Sequence, residues 1–160
     1  MTGRQRLALV VLLGSQFMLA IDFSILNVAL PSIGRGVGLG EQDLQWIATA
    51  FALPSAGFTL LFSRVADLAG RRRAFLTGLV LLVVSSLAGG LAQHPAELLV
   101  ARVGQGLAAA IAVPAALSLL VTTFPEGPVR QRALSLNSTL LPAGFTVGAL
   151  VGGLLTGYLN

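Results

Sequence analysis

Residues 74–93 read AFLTGLVLLVVSSLAGGLAQ, twenty positions without a charged side chain, bracketed by Arg71, Arg72 and Arg73 before and by His94 and Pro95 after. At about 1.5 Å of rise per residue, about 20 helical residues cross the roughly 30 Å hydrocarbon core of a bilayer. The stretch therefore reads as a transmembrane helix. Leu44–Ser63, Val103–Pro125 and Ala133–Asn160 are uncharged over comparable or greater lengths. A fifth run, Leu7–Leu30, carries only Asp22 and ends at Pro31, which with Ser32, Gly34 and Gly36 is loop chemistry. Arg4 and Arg6 before this run, and Met18-Leu19-Ala20 inside it, would also suit a cleaved signal peptide, but the apolar helix resumes after Asp22. The expected fold class is an all-α membrane protein, residues 1–160 forming one bundle of five spans at approximately 7–30, 44–63, 74–93, 98–123 and 133–158.

Composition agrees. The 160 residues are 55% hydrophobic and 10% charged, where soluble domains carry about 25% charge. The net charge of +4 is spread over an apolar chain and builds no basic face, so nucleic acid is not expected as a partner. Without cysteine, and with His94 as the one histidine, the chain offers no thiolate chemistry and no cluster for a metal. No serine–histidine–acid set, HExxH or phosphate-binding glycine–lysine motif occurs, so neither an enzyme nor a cofactor is expected.

Arginine placement gives the orientation, because positive residues remain on the cytoplasmic side. Arg4, Arg6, Arg64, Arg71, Arg72, Arg73, Arg130 and Arg132 fall on one side of the five spans, and Arg35 alone on the other. The amino terminus is expected in the cytoplasm of a cell-membrane protein, and five crossings leave Asn160 outside. Trp46 and Tyr158 then sit at the outer interface, where aromatic belts form.

Two charges remain inside the spans. Asp22 lies nine residues before Pro31, and Arg102 seven after Pro95. Both positions are roughly 10–14 Å below the outer surface on a helical rise, a shared depth that permits an ion pair. Such a carboxylate would bind or release a proton according to whether the pair is closed or reached by water. It could so couple proton movement to a conformational change, although a static pair, or Arg102 snorkelling outward, would use the same residues. Small residues form the other pattern. Gly144, Gly148 and Gly152 recur every four positions, with Gly153 and Gly157 on the adjacent strip, and Gly104–Ala108 and Gly106–Ala110 repeat the spacing. Stripes of this kind allow helices to approach closely. Pro54, Pro114 and Pro142 interrupt spans two, four and five.

Between spans two and three lies Ser63-Arg64-Val65-Ala66-Asp67-Leu68-Ala69-Gly70-Arg71-Arg72-Arg73, read as a cytoplasmic loop of about ten residues. Asp67, Gly70, Arg71 and Arg72 resemble the signature at this place in the major facilitator superfamily, with Ser63 standing for its leading glycine and Leu68 for its usual arginine. Leu99–Gly106, with Arg102, Gln105 and Gly106, is similar to the helix-four motif of that family. Gly144, Gly148, Ala149, Gly152 and Gly153 resemble its helix-five antiporter motif, with Ala149 in place of proline. Ile21–Pro31 is similar to the first-helix motif of the 14-helix drug:proton antiporter branch, and Gln45-Trp46 opens helix two as that branch does.

The resemblance implies proton-coupled export of small amphipathic drugs or antibiotics by alternating access. Asp22 would carry or gate the proton, Arg102 would be its charge partner, and Asp67 with the following arginines would act in a cytoplasmic gate. The family's half-unit is two inverted triplets of helices, so five spans are an incomplete amino-terminal half. The expected partners are membrane lipid, protons, a small-molecule substrate, and the missing carboxy-terminal helices or another chain. The other reading is a short structural or regulatory bundle that does not transport. The sequence identifies no substrate-binding residue.

Overall fold

A computed structural model describes residues 3–158, so the expected outward placement of Asn160 lies outside the described residues. Five long apolar helices run α1 Gly3–Gly36, α2 Leu44–Ala69, α3 Arg71–Gly90, α4 Pro95–Thr123 and α5 Pro128–Tyr158, with one 3-10 turn at Glu41–Asp43. All five are long and apolar enough to cross a bilayer. Large apolar side chains cover the outside, Leu60 being 83% and Val100 72% exposed. So much outward apolar surface is a lipid-facing signature.

Four of the five helices exceed the uncharged runs because a helix continues past the edge of the hydrocarbon, while α3 keeps the length of its run but lies three residues earlier, at Arg71–Gly90 rather than 74–93. Two expected loops are lost in whole or in part in consequence. The first helix does not stop at Pro31 but continues to Gly36. Proline removes one backbone donor, a loss that apolar helices tolerate, and the Arg35 side chain bonds back to the Pro31 carbonyl at 3.2 Å. Termination falls instead at Gly38, whose φ of +77° is left-handed, next to a Leu39 N–H to Gly34 carbonyl bond of 2.8 Å.

The second lost loop is the ten-residue cytoplasmic connection, where Arg64–Ala69 is helical and Gly70 alone separates α2 from α3. Gly70 donates to Ala66 and accepts from Ala74, both at 3.0 Å, at φ +101°. Side chains rarely adopt that backbone conformation, so glycine makes the one-residue corner possible. Helix four begins at Pro95, before the expected 98. Proline suits a first helical position, and Glu97 Oε2 accepts from the Gln93 N–H at 2.9 Å and the His94 N–H at 3.4 Å. Helix five likewise begins at Pro128 rather than 133, carrying Arg130 and Arg132 on its first turns.

Helix α4 is central, its alanines largely buried against the other helices. Facing residues give the directions. Gly106 lies on the backbone of Phe51, so α2 and α4 are parallel with Arg102 beside Ile47. Gly104 faces Ser85, while Gly78 faces Ala108 and Ala112, so α3 is antiparallel to α4. Gly144, Gly148 and Gly152 climb α1 past Phe17, Ile21 and Ile25, making α5 parallel to α1. Helices of one expected direction are parallel throughout. Gly153 and Gly157 do not join the packed stripe, for nothing lies within 4 Å of the space a side chain would take at either. They fall off the arc of α5 that meets α1.

Candidate functional site

Arg102 is 2% exposed although it sits on a membrane helix. A bare cation there would be expensive, and three contacts offset the cost. Arg102 Nη1 donates to Gln105 Oε1 at 2.8 Å, Arg102 Nε donates to the Ile47 carbonyl at 3.3 Å, and the guanidinium carbon lies 4.8 Å from the Phe51 ring centroid. Arg102 and Gln105 can meet because positions three apart share a helix face. Gln105 Nε2 in turn donates to Ser86 Oγ on α3 at 3.0 Å. With its oxygen taken by the arginine and its nitrogen by the serine, the amide is oriented from both ends.

Asp22 approaches from α1. It lines, with Ser86, Arg102 and Gln105, a cavity of about 480 Å³ to which Leu98, Gly89 and Gly90 also contribute. The two intramembrane charges expected to be neighbours are therefore brought to one cavity. They do not form the direct ion pair that their shared depth permits: the ion pairs among the described residues are Arg71–Asp67 and Arg130–Glu126. The guanidinium is already committed to Gln105, Ile47 and Phe51, and it shares the cavity with Asp22 without an ion pair to it. A half-buried carboxylate that reaches a cavity beside a fixed cation can exchange a proton without breaking the cation's own hydrogen bonds. Sequence reasoning missed Ile47, Phe51 and Ser86. A backbone carbonyl and an aromatic face leave no residue-type signal, though Ser86 is a polar residue within an apolar run.

At the opposite end, Asp67 and Arg71 pair at 3.1 Å while both remain partly exposed, so the pair is worth about 0–1 kcal/mol. Gly70, Arg72 and Leu119 of α4 border the same hollow. Gly106 and the buried glycines of α5 are packing positions, at the α2–α4 and α1–α5 contacts respectively.

The model of the Major Facilitator Superfamily matches residues 12–160. The cephamycin export protein of Amycolatopsis lactamdurans is 41% identical over 159 residues, covering 99% of this chain and 33% of that protein. The puromycin resistance protein of Streptomyces alboniger is 43% identical over 152 residues, 95% of this chain and 30% of its own length. A multidrug resistance protein of Mycobacterium tuberculosis is 41% identical over 139 residues, 87% and 26% respectively. The chain spans about a third or less of the length of these relatives.

Proposed function

The chain belongs to the major facilitator superfamily, and on that premise we propose that it works as the amino-terminal bundle of a proton-coupled exporter of small amphipathic drugs or antibiotics. The observation that carries the reading is Asp22 facing a cavity beside the fixed Arg102–Gln105–Ser86 chain. A carboxylate with a water-accessible side and a permanent cation across from it is suited to load and unload a proton as the cavity opens and closes. The relatives named for export and resistance support the cargo class. The Asp67–Arg71 corner, with Arg72, would serve as the cytoplasmic gate, since the one-residue turn at Gly70 joins the end of α2 directly to the start of α3.

Alternating access in this fold rocks one bundle against a counterpart about a midplane site. The missing wall would come from further helices or another chain. The test is a chimera in which this chain replaces the matching segment of the cephamycin export protein, reconstituted in liposomes with an imposed pH gradient. Efflux of a fluorescent amphipathic cation should follow the gradient, while these 160 residues alone should give only leak. Gradient-independent flux through the chimera would remove the proton coupling, and flux no higher than leak would sink the exporter reading and favour a bundle that does not transport.

The orientation is part of the same proposal, with the amino terminus in the cytoplasm of a cell-membrane protein. Gln42, His94 and Glu126 are exposed at helix ends in a chain without cysteine. A membrane-impermeant thiol reagent on intact cells should label Gln42→Cys and His94→Cys but not Glu126→Cys. Labelling at 126 from outside would reverse the topology.

A further inference from the structure

A second cavity, of about 450 Å³, lies between α1, α2, α4 and α5 and shares no lining residue with the cavity that holds Asp22. The two are stacked along the bundle. On α1 the Asp22 cavity is lined between Asp22 and Val37, and the second between Gln16 and Phe23. On α4 the first is lined by Leu98, Arg102 and Gln105, and the second by Ala109 and Val113, which begin about 6 Å further along the helix at about 1.5 Å of rise per residue. The Asp22 cavity reaches the end of α1 at Gly36 and the α3–α4 turn at Ala92. The second lies among residues in the interior of each helix, and no charged side chain lines it.

One layer of side chains divides them. Asp22 and Phe23 are consecutive, so they point about 100° apart around α1, the carboxylate into one cavity and the ring into the other. Phe51 lines the second cavity, while the guanidinium carbon of Arg102, which lines the first, lies 4.8 Å from its ring centroid. Phe23 continues the layer, with its centroid 5.1 Å from Phe51 and 6.0 Å from Phe145. On the α4 side Gly106 sits directly on the Phe51 backbone, where even a Cβ would meet the Phe51 carbonyl oxygen. A charged cavity holds water, whereas an apolar constriction excludes water and ions.

We infer that Phe51, with Phe23, is a septum that stops water and protons entering from the outer side at the Asp22–Arg102 cavity. The inference uses the orientation proposed above and goes beyond the export reading by naming the barrier. A proton held at Asp22 has no file of water leading inward, and it moves on only when α1 and α2 shift enough to part the two rings. A continuous file would let protons run down their gradient without moving anything else. What the layer requires of Phe51 is volume, and its contact with Arg102 keeps the ring at the base of the charged cavity.

Thiol labelling in this cysteine-free chain tests the barrier. Intact cells receive a membrane-impermeant methanethiosulfonate. Leu26→Cys, in the outer cavity, should react, and Ser55→Cys, in the second, should not. Phe51→Ala should accelerate labelling at Ser55→Cys by about tenfold or more, since it opens the constriction. Phe23→Ala, which opens the same layer without touching Arg102, should do likewise, while Phe51→Leu should keep the seal. Leu120→Cys, 2% exposed elsewhere in the core, should stay unlabelled beside either alanine. An unreactive Leu26→Cys, equal labelling at 26 and 55 in the unaltered layer, no acceleration by either alanine, an equal acceleration by Phe51→Leu, or labelling of Leu120→Cys would each overturn the septum. Gln42→Cys in the same cells keeps the outward orientation a separate question. None of these readouts uses a gradient, cargo or Asp22, so a failed septum leaves proton-coupled export standing, and a chimera without driven efflux leaves the labelling result intact.

Discussion

Gly148→Leu is expected to separate α1 from α5 and to cost the bundle about 3 kcal/mol or more, at the upper end of what overpacking produces. A Cβ at 148 would meet the Ile21 carbonyl oxygen and Ser24 Cβ at 2.7 Å each, and Ile21 Cα at 3.0 Å. Two of these atoms are backbone, which cannot swing aside, so the helices must move apart. That movement also breaks the bond from Ser24 Oγ to the Phe145 carbonyl, 2.6 Å long and fully buried on the Ser24 side. Gly153→Leu, five residues along the same helix, should change stability by no more than about 0.5 kcal/mol, since open space lies beyond it. Thermal unfolding of the two variants in detergent, followed by circular dichroism, checks the contrast. Comparable losses at the two positions would mean that α5 packs on α1 through a different stripe.

That contrast also marks what the sequence could and could not disclose. Hydrocarbon thickness is a length, and length is counted directly from uncharged runs, so the number and order of the helices were legible. Their ends were not, because Pro31 and the Arg64–Ala69 segment obey two rules at once. Proline and charge both mark loops in soluble chains, yet a helix leaving the bilayer can carry either. Spacing every four residues pointed to a glycine stripe and could not say which strip faces a neighbour: Gly152 is buried, while Gly153 is open. The depth of Asp22 and Arg102 was legible from helical rise and does bring them to one cavity. The direct pair was not decidable, since Gln105, Ile47 and Phe51 compete for the guanidinium and two of them belong to another helix.

Asp22→Asn should reduce gradient-driven efflux through the chimera at least tenfold, a loss of about 1.4 kcal/mol or more in driving the transport step. Asparagine preserves the volume and polarity of the side chain but cannot take up or release a proton, so cargo movement loses its link to the proton gradient. The fold should survive the change. Arg102 is held by Gln105 Oε1 and the Ile47 carbonyl rather than by Asp22, so neutralising the carboxylate leaves the buried cation with its hydrogen bonds. Exchange of labelled cargo across the membrane at equal concentration and equal pH needs alternating access but no proton flux. It should therefore persist in Asp22→Asn, while Asp22→Glu, which restores a titratable group, should regain part of the gradient-driven rate. Loss of both exchange and driven efflux would make Asp22 a structural residue. Retention of both would move proton coupling to another group. Arg102→Leu makes the complementary case: it empties the charge from the cavity wall and strands Gln105 Oε1, so exchange and thermal stability should fall together.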